Sequence, residues 1–110
     1  MNIPLPYCVY ILFSEKDKLL YIGFTTNVEK RLESHNSGGS KSTASRRPLK
    51  LIFCESYLFE DDARKREIYF KTTMGKKAIK LMLNNTLIKL GYKRPDSGKI
   101  QIMYENPEEQ

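Results

Sequence analysis

The sequence predicts an α/β (α+β) fold: a small, mainly antiparallel three-stranded sheet flanked by helices, in the order ββ-α-β-α-α. Three observations predict it. Two aromatic and β-branched runs, Tyr7 to Phe13 and Leu19 to Thr25, are separated by a short polar stretch. A third such run follows at Leu49 to Tyr57. The segments between and after these runs carry helical start and stop signals.

The first run, YCVYILF, is apolar without alternation, as in a strand buried on both faces. Ser14 to Lys18 is turn-like, so the first two strands form an antiparallel hairpin. Thr26, with Glu29 three residues later, has the pattern of a capping box. It opens a helix over about Asn27 to Ser37 that Gly38 and Gly39 end. Ser37 to Pro48 (SGGSKSTASRRP) has almost nothing apolar and is expected to be a solvent-exposed loop. After the third strand, Glu60, Asp61 and Asp62 mark a helix start, where negative charge suits the dipole. That helix is expected to reach Thr73, with Gly75 as its breaker. One further helix is expected over Lys76 to Leu90, with Ile79, Met82, Leu83, Leu87 and Leu90 on one side and Gly91 as its cap. The domain is thus expected to occupy 1–91 and a C-terminal tail 92–110. In that tail Lys99 to Glu105 alternates like a short strand, and Asn106 to Gln110 reads as frayed.

The 110 residues leave room for one hydrophobic core. Nineteen Lys and Arg against thirteen Asp and Glu give a net charge of +6, the sign a nucleic-acid-binding surface needs. No apolar stretch approaches the ~18 residues of a membrane span, and Met1 to Pro6 lacks the signature of a signal peptide. Cys8 and Cys54 sit in strand-like runs, and two thiols with one His match no zinc pattern. They read as reduced core residues, and the localisation expected is cytoplasmic.

Several residues look misplaced for a mere scaffold. The apolar stripe of the second helix reads Phe59, Ala63, Phe70 and Met74, and the position that continues it is Glu67. A carboxylate facing a core is costly unless something positive meets it. A divalent cation would do so, and so would Arg64 or Lys71 at helical spacing. Arg31 and His35 share a face of the first helix. Arg31 suits a phosphate oxygen, and His35, the single His, suits a proton shuttle. Tyr10 and Tyr21 lie in the paired strands. With a four-residue hairpin loop their rings share one face; with a five-residue loop they do not. Gly23 inside a strand suggests a bulge or a close approach. Lys41, Arg46 and Arg47 in the polar loop are candidates to grip nucleic-acid phosphates.

In this ordered set the chain resembles the GIY-YIG endonuclease domains, close to the small stand-alone bacterial members that are similar to the nuclease part of an excision-repair enzyme. The resemblance covers Pro6 to Leu90. It rests on Cys8-Val9-Tyr10, Tyr21-Ile22-Gly23, Arg31 with His35, the segment Lys41 to Pro48, and Ala63, Arg66 and Glu67. Cys8 stands where the first signature has its leading Gly. Asn84 or Asn85 is a candidate for the Asn that many members carry after the acidic residue.

The resemblance implies a metal-dependent endonuclease acting on nucleic acid, DNA first, with one Mg²⁺ or Mn²⁺ on Glu67. It implies Arg31 offsetting phosphate charge, Tyr10 as general base assisted by His35, and Tyr21 orienting water or phosphate. A free tyrosine has a pKa of about 10, so such a base needs cationic neighbours. DNA repair and a separate targeting protein are implied only by the family likeness. The alternative is a basic nucleic-acid-binding module that does not cut.

Overall fold

The computed structural model describes residues 5–92 and 102–104. Strands β1 (Tyr7–Ser14) and β2 (Leu20–Thr25) lead into helix α1 (Val28–Asn36). A short 3₁₀ turn (Ala44–Arg46) precedes β3 (Leu49–Tyr57). Helices α2 (Glu60–Phe70), α3 (Thr73–Met82) and α4 (Asn84–Leu90) follow, and β4 (Ile102–Tyr104) completes the order. The sheet runs β3-β1-β2-β4. Its first three strands are antiparallel, as expected, and β4 joins β2 in parallel. The tail thus supplies a fourth, short strand inside the alternating segment; the reading of Asn106 to Gln110 lies outside the described residues.

β1 is central, which is why its run is apolar at consecutive positions rather than alternate ones. β3 is an edge strand, exposed at Lys50, Cys54 and Ser56 and buried or partly buried elsewhere. The hairpin loop is the four-residue alternative, Glu15 to Lys18, closed where the Ser14 N–H donates to the Leu19 carbonyl. Lys18 there takes φ 64. Tyr10 therefore pairs with Gly23 and Leu12 with Tyr21, and both tyrosines share a face.

The two faces are covered differently. Val9, Ile11, Phe13, Leu20, Ile22 and Phe24 form one core with Ala63 and Phe70 of α2, Ile79 of α3 and Leu87 of α4. On the other face Cys8, Tyr10, Leu12, Tyr21 and Leu49 pack with Val28 and Leu32 of α1. Among the described residues no helix is long and apolar enough to cross a membrane.

Five local expectations are corrected. The cap of α1 is Asn27, not Thr26: its Oδ1 accepts the Lys30 N–H at 3.1 Å, and Thr25 Oγ1 accepts the Asn27 N–H. The helix starts one residue later than expected, which takes Glu29 out of capping register. The helix break between α2 and α3 is made by Thr72, whose hydroxyl accepts the Gly75 N–H, so Gly75 sits inside the first turn of α3. There the two helices touch: a Cβ on Gly75 would stand 1.8 Å from the Tyr69 carbonyl oxygen. The expected single helix over 76–90 is two, with Leu83 ending α3 outside helical backbone angles. Phe59 and Met74, the outer positions of the α2 stripe, are exposed, because the helix ends before it can bury them. Finally, Cys8 and Cys54 are joined as a disulfide rather than reduced, their Cα atoms 6.5 Å apart. Cys54 lies opposite Tyr10 on β3, diagonal to Cys8, a neighbour relation that only strand register creates.

Candidate active site

The site begins with the pleat. Residues 8, 10, 12 and 14 of β1 point to the α1 face, as do Tyr21 and Gly23 of β2. Gly23 stands opposite Tyr10 in the register of β1 and β2 and is buried. α1 crosses this face and lowers His35, at its last turn, onto the tyrosines. The Tyr21 and His35 rings meet edge-to-face at 4.9 Å, and Tyr10 lies 6.4 Å from Tyr21 and 5.9 Å from His35, centroid to centroid. All three are essentially fully buried.

Their polar atoms form a chain. Arg31 Nε donates to Tyr10 Oη at 3.3 Å. Tyr10 Oη and His35 Nε2 are 3.0 Å apart, and His35 Nδ1 is 2.7 Å from Thr43 Oγ1. Two tautomers fit all three contacts. In one, Oη accepts from Arg31 and donates to Nε2 while Nδ1–H donates to Thr43; in the other, Nε2–H donates to Oη and the Thr43 hydroxyl donates to Nδ1. A buried imidazole with both nitrogens engaged is held in one orientation.

Thr43 carries no sequence signal that singles it out. It sits in the polar loop expected to be solvated, yet it is fully buried, together with Ser40 and Arg46. The loop is pinned rather than loose. Asn36 Nδ2 donates to the Leu49 carbonyl and Asn36 Oδ1 accepts the Leu49 N–H, tying the end of α1 to the start of β3. Arg46 Nε meets Asp17 Oδ2 at 2.5 Å, and Ser14 Oγ donates to the Arg46 carbonyl at 2.6 Å. Burial works to raise the Asp17 pKa, but the Arg46 hydrogen bond and charge and the Leu19 N–H outweigh it, leaving the carboxyl below its ordinary value.

Of the three cations expected to grip phosphate, Lys41 and Arg47 are exposed. Arg46 is not: it is buried on the hairpin, and its place in the scaffold corrects the expectation of a free surface contact. The only signal for this in the sequence is Asp17 in the distant turn, which has no local relation to Arg46.

Glu67 lies where the stripe placed it, between Ala63 and Phe70, 4% exposed. α2 packs against β1 and β2 on the apolar face of the sheet, the opposite one from the face that carries Tyr10 and Tyr21. Two cations of its own helix meet the carboxylate. Lys71 Nζ is 3.2 Å from Oε2, and Arg64 Nη1 is 3.6 Å from Oε1. Arg64 is also fastened elsewhere, with its guanidinium carbon 3.8 Å from the Phe24 ring centroid and its Nε on Glu60. Hydrogen bonds join Tyr10, Arg31, His35 and Thr43 in one chain, and Glu67 pairs with Lys71 and Arg64. Asn84 and Asn85 are exposed at the start of α4, and Asn84 lines a cleft with Lys80, Leu87, Ile88 and Tyr92.

Among the described residues no three His, Cys, Asp or Glu side chains converge as a metal-binding group. One buried carboxylate fits a hard cation of the magnesium type, which takes one or two protein carboxylates and completes its shell with water and substrate phosphate. It does not fit a closed structural site.

A strand face bearing two tyrosines, a helix that lowers Arg and His onto it and an acid on a later helix describe a class, and comparison with known proteins identifies it. The GIY-YIG catalytic domain model matches residues 6–80, and the chain belongs to the GIY-YIG family of nucleases. Its relatives are small proteins. It is 43% identical over 84 residues to the UPF0213 protein YsiG of Lactococcus lactis, covering 76% of this chain and 80% of that one. It is 37% identical over 87 residues to a UPF0213 protein of Clostridium perfringens, covering 78% and 92%. A UPF0213 protein of Syntrophus aciditrophicus is 44% identical over 79 residues, covering 70% and 90%. No solved structure matches the chain. Nucleic acid is the substrate that membership of this family implies.

Proposed function

We propose that the protein is a metal-dependent endonuclease that hydrolyses phosphodiester bonds in nucleic acid, with DNA as its substrate. The observation that carries this reading is the chain Arg31–Tyr10–His35–Thr43, a phenol held between a guanidinium and an oriented imidazole. Nothing in the packing of a sheet calls for that arrangement, whereas a general base of tyrosine type does.

In this reading the Tyr10 proton passes to His35 Nε2, and the imidazolium stays fixed by its Nδ1–H on Thr43. The phenolate, stabilised by Arg31, then takes a proton from water as the water oxygen bonds to phosphorus and the ester P–O bond breaks. Tyr10 is buried, so Arg31 shifts to admit the phosphate and in doing so meets its charge. A divalent ion on Glu67 would supply stabilisation of the leaving oxygen. Tyr21 packs against His35 and helps keep the imidazole in place, and its hydroxyl would orient the water or the phosphate.

The test is cleavage of labelled single-stranded, duplex, flap and branched DNA with Mg²⁺ or Mn²⁺, comparing the parent with Glu67→Ala. Metal-dependent nicking that the substitution abolishes is the expected result. Salt-sensitive binding without cutting by either protein, on DNA and on matching RNA, would point instead to a module that binds and does not cut.

A further inference from the structure

The end of β3 and the outer side of α2 frame a cleft of about 390 Å³, lined by Tyr57, Asp62, Lys65, Arg66 and Tyr69. It lies on the α2 side of the sheet, away from the face that holds Tyr10 and Tyr21. Its walls are fixed. Arg66 Nε donates to Glu55 Oε1 at 2.8 Å. The Arg66 guanidinium carbon lies 4.4 Å from the Phe70 ring centroid and 5.4 Å from that of Tyr69. The Tyr57 hydroxyl donates to the same Glu55 carboxylate. Burial, that hydrogen bond and the Glu55 charge push the Tyr57 phenol up to about 12, so it stays a donor at neutral pH. Arg66, Glu55 and Tyr57 thus satisfy one another, and their contribution to the cleft is flat surface rather than net charge. Asp62 and Lys65 differ. Both are exposed, one turn apart on α2, and neither side chain forms an ion pair among the described residues.

These parts match the parts of a nucleotide. Tyrosine rings and an arginine plane take the face of a base. An ammonium takes a phosphate. A carboxylate only accepts, and so it selects among the bases. Guanine alone sets two donors side by side on its Watson–Crick edge, N1–H and the N2 amino group. Adenine and cytosine place an acceptor nitrogen beside their amino group, and thymine flanks its one N–H with carbonyls. In a duplex that edge is occupied, so the base must be unpaired.

We propose that this cleft is a second nucleic-acid site, which holds one unpaired guanine by stacking on Tyr57 and Tyr69 beside Arg66, with Asp62 accepting from N1–H and N2–H and Lys65 on the adjoining phosphate. The acidic first turn of α2, which repels phosphate, then faces the donor edge of the base. A guanine held there selects the strands that the catalytic face meets. The inference rests on nucleic acid as the partner, and not on cleavage, the metal or Glu67.

The experiment measures binding in EDTA, with the strands checked as intact. The probes are fluorescent oligothymidylates carrying one central dG, deoxyinosine, dA or dC. Deoxyinosine keeps N1–H and lacks only the N2 amino group. The parent should bind the dG probe about tenfold more tightly than the others, and Asp62→Asn should remove most of that preference. Tyr69→Ala should weaken the dG probe about tenfold and Tyr69→Phe should restore it, which separates stacking from a folding defect. Lys65→Ala should reduce the salt slope by about one phosphate contact for every probe.

Equal affinity of the parent for dG and deoxyinosine overturns the proposal, as it would if the cleft took a protein segment instead. A dG preference that survives both Asp62→Asn and Tyr69→Ala lies elsewhere on the molecule and overturns it too. A parent that binds none of the probes, and no duplex either, overturns nucleic acid as the partner and the proposal with it. Metal-dependent cutting without any dG preference leaves the nuclease reading standing and sinks the cleft alone.

Discussion

The two faces of one sheet solve different problems. On the face under α2, α3 and α4, the strands present Val9, Ile11, Phe13, Leu20, Ile22 and Phe24 to Ala63, Phe70, Ile79 and Leu87, and the contact is apolar. On the face under α1, the same two strands present Tyr10 and Tyr21 to His35, and burial there includes hydroxyls, an imidazole and the flanking Thr43 and Arg46. Each buried polar group costs stability unless it is paired. The α1 face therefore depends on geometry, as its hydrogen-bond chain shows, and the other depends on volume. Substitutions should separate the two: volume changes should cost stability, and polar deletions at constant volume should cost function.

The largest effect expected is Phe70→Ala. It empties the centre of the apolar face, where the ring meets Phe53 and the Arg66 guanidinium. Urea unfolding should show a loss of about 3–5 kcal/mol. A loss under about 1 kcal/mol would mean that this face is not the core that holds the sheet. Tyr10→Phe keeps the volume and removes one hydroxyl. Cleavage should fall by about 100-fold or more, with a stability loss of about 1–3 kcal/mol from the partners left unpaired, below that of Phe70→Ala. Equal cutting by the variant and the parent would end the role of Tyr10 as base.

Thr43→Val is the sharper probe, because it deletes the partner of His35 Nδ1 without changing shape. An unpartnered buried nitrogen costs about 1–2 kcal/mol, and cleavage should drop roughly tenfold with its pH optimum shifted, while Thr43→Ser restores both. A pH profile unchanged in Thr43→Val would reduce Thr43 to packing.

The smallest effect is on the rim. The Asp17 carboxyl has a lowered pKa in the folded chain, so its pairing with Arg46 stabilises the fold above the unfolded value of about 4. As pH falls from there through the folded pKa, that contribution is lost. Parent and Asp17→Asn should thus differ in thermal midpoint at about pH 7 and converge in acid. A difference that persists or grows toward low pH would contradict the assignment.

How far the sequence could be read follows the range of the interactions involved. The two-sided burial of β1, the Gly91 cap at φ 74 and the stripe that placed Glu67 among buried neighbours are local patterns of period two or 3.6, visible in consecutive residues. Arg31 with His35 on one helix face is likewise a spacing. The misreadings have the opposite character. Thr43, Ser40 and Arg46 sit in a segment with no period at all, and their burial comes from β1, the hairpin turn and α1 closing around the loop. Thr26 and Asn27 are both good caps, and a shift of a single residue chose between them. Gly75 looks like a breaker, and its small size is used instead for the crossing of α3 against α2.

The sequence by itself determined the first three strands, the helices that follow the second and third of them, and the basic balance, because these are written in propensity, periodicity and charge; Tyr10, Tyr21, Arg31, His35 and Glu67 stood out as one set through the family resemblance. Only the tertiary structure decided that the hairpin turns in four residues and so sets both tyrosines on one face. It also decided that Cys8 and Cys54 meet across β1 and β3, that Arg46 belongs to Asp17, and that both Lys71 and Arg64 pair with Glu67. The physical reason is that register and burial are cooperative. One residue of slip reverses every side chain on a strand, and no single residue encodes which alternative the packed whole will prefer.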